Sequence, residues 1–165
     1  MSVDNRGAFE RFYNLYYDQV FRFAYYCLGE KEACREVVTD VFFSVWQSRK
    51  RLKDIDNIDT YLYISVRNES FRFQARNKDL NRVSLNELLP LMEEEDEGSP
   101  EEHLELKEMR EMLDKAIDEL PEKCRLVFLM SREEGLKTKE IAEILSVQES
   151  TVRVQMKIAI EKLVA

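Results

Sequence analysis

The chain has 165 residues, 44% hydrophobic and 35% charged, which is enough apolar side chain for one domain or two small helical ones and too much for a disordered chain. Only four glycines and three prolines are available for turns, which disfavours many-stranded sandwiches and barrels and points to long helices. A net charge of −8, from 33 acidic and 25 basic residues, speaks against nucleic-acid binding if that charge is spread evenly.

Residues 8–28 carry Phe9, Phe12, Tyr13, Tyr16, Tyr17, Val20, Phe21, Phe23 and Ala24 at spacings that predict an amphipathic helix, ended by Gly29. A second helix is predicted over 31–47, from Ala33, Val37, Val38, Val41, Phe42, Val45 and Trp46. A basic, polar connector covers 48–59, and a third helix 60–75. Residues 83–107 differ, because the acidic run 93–97 followed by Gly98, Ser99 and Pro100 reads as a solvated linker. Leu85, Leu88, Leu89 and Leu91 just before that run suit a short docked piece.

Beyond the linker, Met109, Leu113, Ala116, Ile117 and Leu120 form one helical stripe, stopped by Pro121. Leu126, Val127, Leu129 and Met130 form the next, stopped near Gly135. Two further helices follow, 139–145 and 150–164, joined by Ser146, Val147, Gln148 and Glu149, with Ser150 or the residue before it as the cap. A short helix, a tight turn and a longer helix make a helix-turn-helix, with Ile141, Ala142, Leu145, Val147, Val152, Met156 and Ala159 as its shared core. The expected fold is all-α: helical domains over 1–82 and 109–165, joined by a flexible acidic linker over 83–108.

Divided along these lines, the charge is far from even. Residues 1–48 hold five basic and seven acidic side chains, net −2, and residues 49–82 hold nine and five, net +4. Residues 83–110 hold two and ten, net −8, and residues 111–165 nine and eleven, net −2. Residues 83–110 thus equal the whole net charge, and the block containing the third helix is the only basic one.

Catalytic chemistry is thinly represented. The one histidine, His103, lies among Pro100, Glu101, Glu102 and Glu105, which offers neither a histidine metal cluster nor a good triad base. Gly7, Gly29, Gly98 and Gly135 are too scattered for a phosphate-cradling loop. Cys27, Cys34 and Cys124 form no CxxC pair and read as buried thiols. No catalytic residue, metal site or cofactor is expected, and neither a signal peptide nor a membrane span is evident, so the expected location is the cytoplasm.

Two helix faces suggest binding instead. Tyr61, Ser65, Asn68, Arg72 and Arg76 share one face of the third helix, while Leu62, Val66 and Phe73 anchor another. Arginines clamp phosphates, an aromatic stacks on an unpaired base and an amide reads a base edge, a set that suits a single or melting strand. The alternative is an ordinary solvated face. The last helix carries Thr151, Arg153, Val154, Gln155 and Lys157 near its N-terminus, the end that enters the major groove in a helix-turn-helix. Helix pairs of this kind also occur in proteins that never touch DNA.

In order along the chain, three stretches resemble the extracytoplasmic-function (ECF) sigma factors of bacterial RNA polymerase. REVVTDVFFSVWQSR (35–49) resembles the family's polymerase-binding segment, and TYLYISVRNESFRFQAR (60–76) its promoter-melting segment. LPEKCRLVFLMSREEGLKTKEIAEIL together with STVRVQMKIAIEKL resembles its C-terminal promoter-binding domain. The resemblance implies a factor that binds core polymerase at the clamp and helps to melt promoter DNA, catalysis being left to the polymerase. Asp40, Val41, Phe43, Trp46 and Gln47 would lie on or behind the clamp-binding surface, with Val41 and Trp46 better explained as core and Asp40, Phe43 and Gln47 as contacts.

By the same resemblance, Asn68 would read a flipped base of the −10 element, Tyr61 would stand at the strand-separation edge, and Arg67, Arg72 and Arg76 would hold phosphates. Ser150, Thr151, Arg153, Val154 and Lys157 would face the −35 element. A cognate anti-sigma factor and a monomeric free state are implied too. Two departures stand out: Ile158 and Ile160 occupy positions that are often basic in the family, and Ser146 one that is often glycine. The apolar replacements motivate a rival reading, a sigma mimic that titrates an anti-sigma factor. A second rival is a conventional helix-turn-helix regulator, against which the polymerase-binding segment counts.

Overall fold

A computed structural model describes residues 6–77 and 100–164, and within them the fold is all-α. Helix α1 (Arg6–Leu28) ends where Gly29 adopts φ +73°, a left-handed conformation that costs glycine little, and the Gly29 N–H reaches Tyr25 O at 2.8 Å. Helix α2 (Lys31–Gln47) starts at once, because the Glu30 carboxylate accepts from the N–H groups of Glu32 and Ala33, both at 3.2 Å. A 3-10 turn (Arg49–Asp54) fills the basic connector and leads to α3 (Ile58–Arg76), capped by Asn57 Oδ1 accepting from Thr60 N at 3.0 Å.

These three helices pack through the stripes their spacing predicts. Phe12, Val20 and Phe23 of α1, Val37, Val41 and Val45 of α2, and Leu62, Val66 and Phe73 of α3 are all buried. Aromatic edges lock the seam: Phe23 meets Tyr63 at 4.9 Å and Phe12 meets Phe42 at 6.4 Å, both edge to face. Each large apolar side chain buried this way contributes about 1.5–3 kcal/mol, so one Phe→Ala change here is a severe loss.

Helix α4 (Pro100–Asp118) begins inside the segment read as linker, earlier than the helical stripe expected from Met109. Its run of Leu, Glu, Lys, Met and Arg consists of strong helix formers, and that propensity outweighs the charge that had suggested a linker. Residues 85–91 and the acidic run 93–97 lie outside the described residues. From Leu104 to Leu113 the helix is exposed, and it enters the core only at its end, through Ile117 and, just beyond it, Leu120. Arg125 then ties the turn, donating to Asp118 O at 2.9 Å and Leu120 O at 3.2 Å.

Helices α5 (Glu122–Arg132), α6 (Thr138–Leu145) and α7 (Glu149–Leu163) form the C-terminal cluster around Val127, Leu129, Met130, Ile141, Ile144, Val152 and Ala159. Gly135, at φ +65°, turns the chain between α5 and α6. Two details of the expected helix-turn-helix core change. Val147 is 40% exposed, because the turn begins with Ser146 at φ +56° and points the next residue outward, and Ile144 is buried instead. Ser150 does not cap α7; Gln148 holds the cap position without a side-chain bond, and the Ser150 hydroxyl donates to Gln148 Oε1 at 3.4 Å. Cys27, Cys34 and Cys124 are free and buried. No helix among the described residues is long and apolar enough to cross a membrane.

Candidate nucleic-acid and polymerase surfaces

Helix α2 buries Val41 and Val45 against its neighbours, and this fixes what its other side presents. Phe43 is 60% exposed, Gln47 is exposed and Asp40 half-buried, and spacings of three and four put them on one strip. Trp46 is half-buried, edge-on to Phe9 at 5.0 Å, with the Arg49 guanidinium 4.1 Å from its ring. Val41 and Trp46 therefore shape the strip from behind, and Phe43 is its apolar feature.

On α3, burial of Leu62, Val66 and Phe73 turns Arg72 and Arg76 fully outward and leaves Tyr61, Ser65 and Asn68 half-buried. Ser65 spends its hydroxyl on Tyr61 O at 2.9 Å, and Arg72 pairs with Glu69 one turn back. Phe71, 53% exposed, was not singled out from the sequence. It falls out of phase with the anchoring residues, and that phase mismatch is the signal that would have found it. Lys50, Arg51 and Lys53 on the preceding 3-10 turn are exposed as well, extending the basic block.

Arg67 is not turned to solvent. Its guanidinium donates to Asn68 Oδ1 (Nη2 2.8 Å, Nε 3.2 Å) and, across to the C-terminal cluster, to Ile144 O at 2.7 Å and Ser146 Oγ at 2.9 Å. A second contact lies beside it. The Glu134 carboxylate, its side chain fully buried, accepts from Arg22 Nε at 3.1 Å, Arg22 Nη2 at 3.3 Å and Tyr63 Oη at 3.0 Å. Burial raises the Tyr63 phenol above its ordinary range, and the charge and hydrogen bond of Glu134 add to that. For Arg22 burial opposes the charged form, but Glu134 outweighs it and the pKa is raised.

Helix α7 exposes Ser150, Thr151, Arg153, Val154 and Lys157, the side chains expected to face DNA. Arg153 lies 3.9 Å from Glu149 and Lys157 4.0 Å from Glu161, loose exposed pairs one turn apart. Of the two apolar departures, Ile158 is half-buried, whereas Ile160 is 46% exposed. Gln155, also half-buried, accepts from the Cys124 thiol at 3.2 Å.

The sequence models of two regions of one family match in order, "Sigma-70 region 2" over residues 12–79 and "Sigma-70, region 4" over residues 110–163. The chain belongs to the sigma-70 family. Its function is that of a sigma factor in transcription initiation, acting with RNA polymerase on promoter DNA. Sigma factors are not a class of enzyme.

Among solved structures, the fold is similar to the sigma factor RpoE in complex with the anti-sigma factor NepR from Bartonella quintana. That likeness has a TM-score of 0.69 and 15% identity, and it covers 94% of this chain and 93% of the other. It is also similar to CnrH in complex with the cytosolic domain of CnrY, with a TM-score of 0.60, 18% identity and coverage of 96% and 86%. No curated protein matches the chain. Region 2 of this sigma factor spans most of α1 and all of α2 and α3, and region 4 spans the second half of α4 through α7.

Proposed function

We propose a division of labour for this sigma factor in which α3 takes the −10 strand, α7 the −35 duplex and α2 the polymerase clamp. The observation that carries the reading is the outward stripe of α3, with Asn68 central, Tyr61 at one end and Arg72 and Arg76 at the other, inside the chain's only basic block. Asn68 reads one unstacked base, Tyr61 supports the strand edge, and Arg67, Arg72 and Arg76 hold phosphates. Ser150, Thr151, Arg153, Val154 and Lys157 meet the major groove and its phosphates, helped by the free N–H groups at the start of α7.

On the clamp side, Phe43 inserts as the apolar anchor while Asp40 and Gln47 supply polar contacts; exposed aromatics of this kind often dominate such interfaces. The free protein is a cytoplasmic monomer held by an anti-sigma factor, a partner suggested by the two similar folds, each captured with one. Replacing Asn68 with Ala tests the site. The expected result is relaxed preference at one promoter base with core polymerase binding intact, read by competition of the holoenzyme against a randomised −10 library. Equal loss on every sequence contradicts base readout.

A further inference from the structure

Asn68 is the side chain assigned to base reading, and one local contact fixes how its amide is presented. An amide carries an acceptor oxygen and a donor nitrogen, and the two ends read opposite features of a base. The Arg67 guanidinium donates to Asn68 Oδ1 from Nη2 at 2.8 Å and from Nε at 3.2 Å. Arginine has donors only, so the atom it grips is the oxygen, and two donors fill both acceptor sites of that oxygen. Asn68 is left with the N–H donors of Nδ2 to offer a base.

The contact is not one that helix geometry supplies by default. Adjacent residues on a helix diverge by about 100° and do not face each other, so the arginine stem must fold back to reach its neighbour. Phe71, one turn on, has its ring centroid 6.0 Å from the guanidinium carbon, at the outer reach of a cation–π contact that braces the fold-back. Arg67 and Asn68 are both half-buried, which limits competition from water. The bonds to Ile144 O and Ser146 Oγ come from Nη1, so the grip on Asn68 uses neither of them.

We propose that Arg67 is a positioning residue that sets the specificity of Asn68: it presents the amide as a donor and so selects an unstacked base with an edge made of acceptors. This rests on the base-reading role of Asn68 given above. Cytosine offers such an edge at N3 and O2, and guanine at N7 and O6. Adenine does not, because N1 and N7 each lie beside the N6 donor. The bidentate pairing of asparagine with adenine needs a free Oδ1 to accept from N6, and here that oxygen is occupied. Removing the arginine frees it.

The test is competition of the holoenzyme, assembled from core polymerase and the full chain, against a library with every −10 position randomised. Asn68→Ala locates the position the amide reads, as the one where base preference disappears. There the wild type is expected to favour cytosine or guanine over adenine. Arg67→Met keeps the apolar stem and removes the donors; it should raise adenine about tenfold against the favoured base, the worth of one bidentate pair. Whatever Arg67→Met does to phosphate binding, or to contacts elsewhere in the chain, scales all four bases alike and cancels from this ratio. An unchanged ratio overturns the positioning role, and so does a wild-type preference for adenine.

Should Arg67→Met lose helix content, Arg67→Lys decides. Its ammonium keeps the charge but fills one acceptor site of Oδ1 at most, so the shift toward adenine is expected in the same direction and smaller; no shift overturns the role. If Asn68→Ala leaves every position unchanged, base reading itself fails and the role of Arg67 falls with it. If Asn68→Ala abolishes a preference that neither arginine variant moves, Asn68 still reads the base and only the role of Arg67 falls.

Discussion

Helices α3 and α7, the two proposed DNA-binding helices, both carry exposed arginine or lysine, yet they restrain their cations differently. On α7 the restraint is local: Arg153 and Lys157 lie 3.9 and 4.0 Å from glutamates on their own helix. Such exposed pairs contribute only tenths of a kcal/mol and yield to any phosphate that approaches. On α3 the restraint on Arg67 is long-range, held by atoms 77 and 79 residues away. A weakly basic recognition helix therefore gains from being tethered to a second DNA contact, since tethering raises its effective concentration at the −35 site.

The contrast yields predictions of decreasing size. Arg72 and Arg76 are exposed on α3, so Arg72→Ala with Arg76→Ala should weaken single-strand binding by about 2–3 kcal/mol. It should also flatten the salt dependence, log affinity against log salt, by about 1.4, that is 0.7 per lost phosphate contact; an unchanged slope removes α3 from the phosphate track. Asn68→Ala should act on specificity, erasing about 1–2 kcal/mol of preference at one base, as binding to a randomised strand measures.

Tyr63 offers a test of the contact between the regions. Its folded-state pKa is raised by burial and by Glu134, so this contact stabilises fully below pH 10, where the phenol is protonated in both states. It weakens as pH rises through the higher folded value. In an absorbance titration of the phenols Tyr63 should ionise among the last, and Tyr63→Phe should delete that late step. Loss of an early step instead contradicts the buried contact. The smallest effect belongs to α7: Glu149→Gln with Glu161→Gln should raise duplex affinity by less than about threefold, because each pair being opened is weak. A gain above tenfold would mean that those pairs, rather than sparse charge, limit the helix.

Much of this was legible in the sequence, for identifiable reasons. Apolar spacing placed α1, α2 and α3 within two residues of their ends, and Leu62, Val66 and Phe73 on the buried side of α3, because helical period and burial are coupled. Sorting charge by segment isolated the basic block that total charge concealed. The start of α4 was missed because acidity and a nearby Gly-Ser-Pro outweighed good helix propensity in the reading, whereas the chain follows propensity. The partnership of Arg22, Tyr63 and Glu134 was invisible, since nothing in a one-dimensional pattern pairs residues 71 and 112 positions apart. Ser146 was visible as a departure from glycine, but its meaning depended on Arg67 arriving from another helix.

The most direct test of the central claim is transcription by purified core RNA polymerase on a library of genomic fragments, with and without the full chain. The account predicts defined start sites only when the protein is present, shared upstream elements among those starts, and their loss on Phe43→Asp without loss of helix content. Initiation that is identical with and without the protein would contradict it.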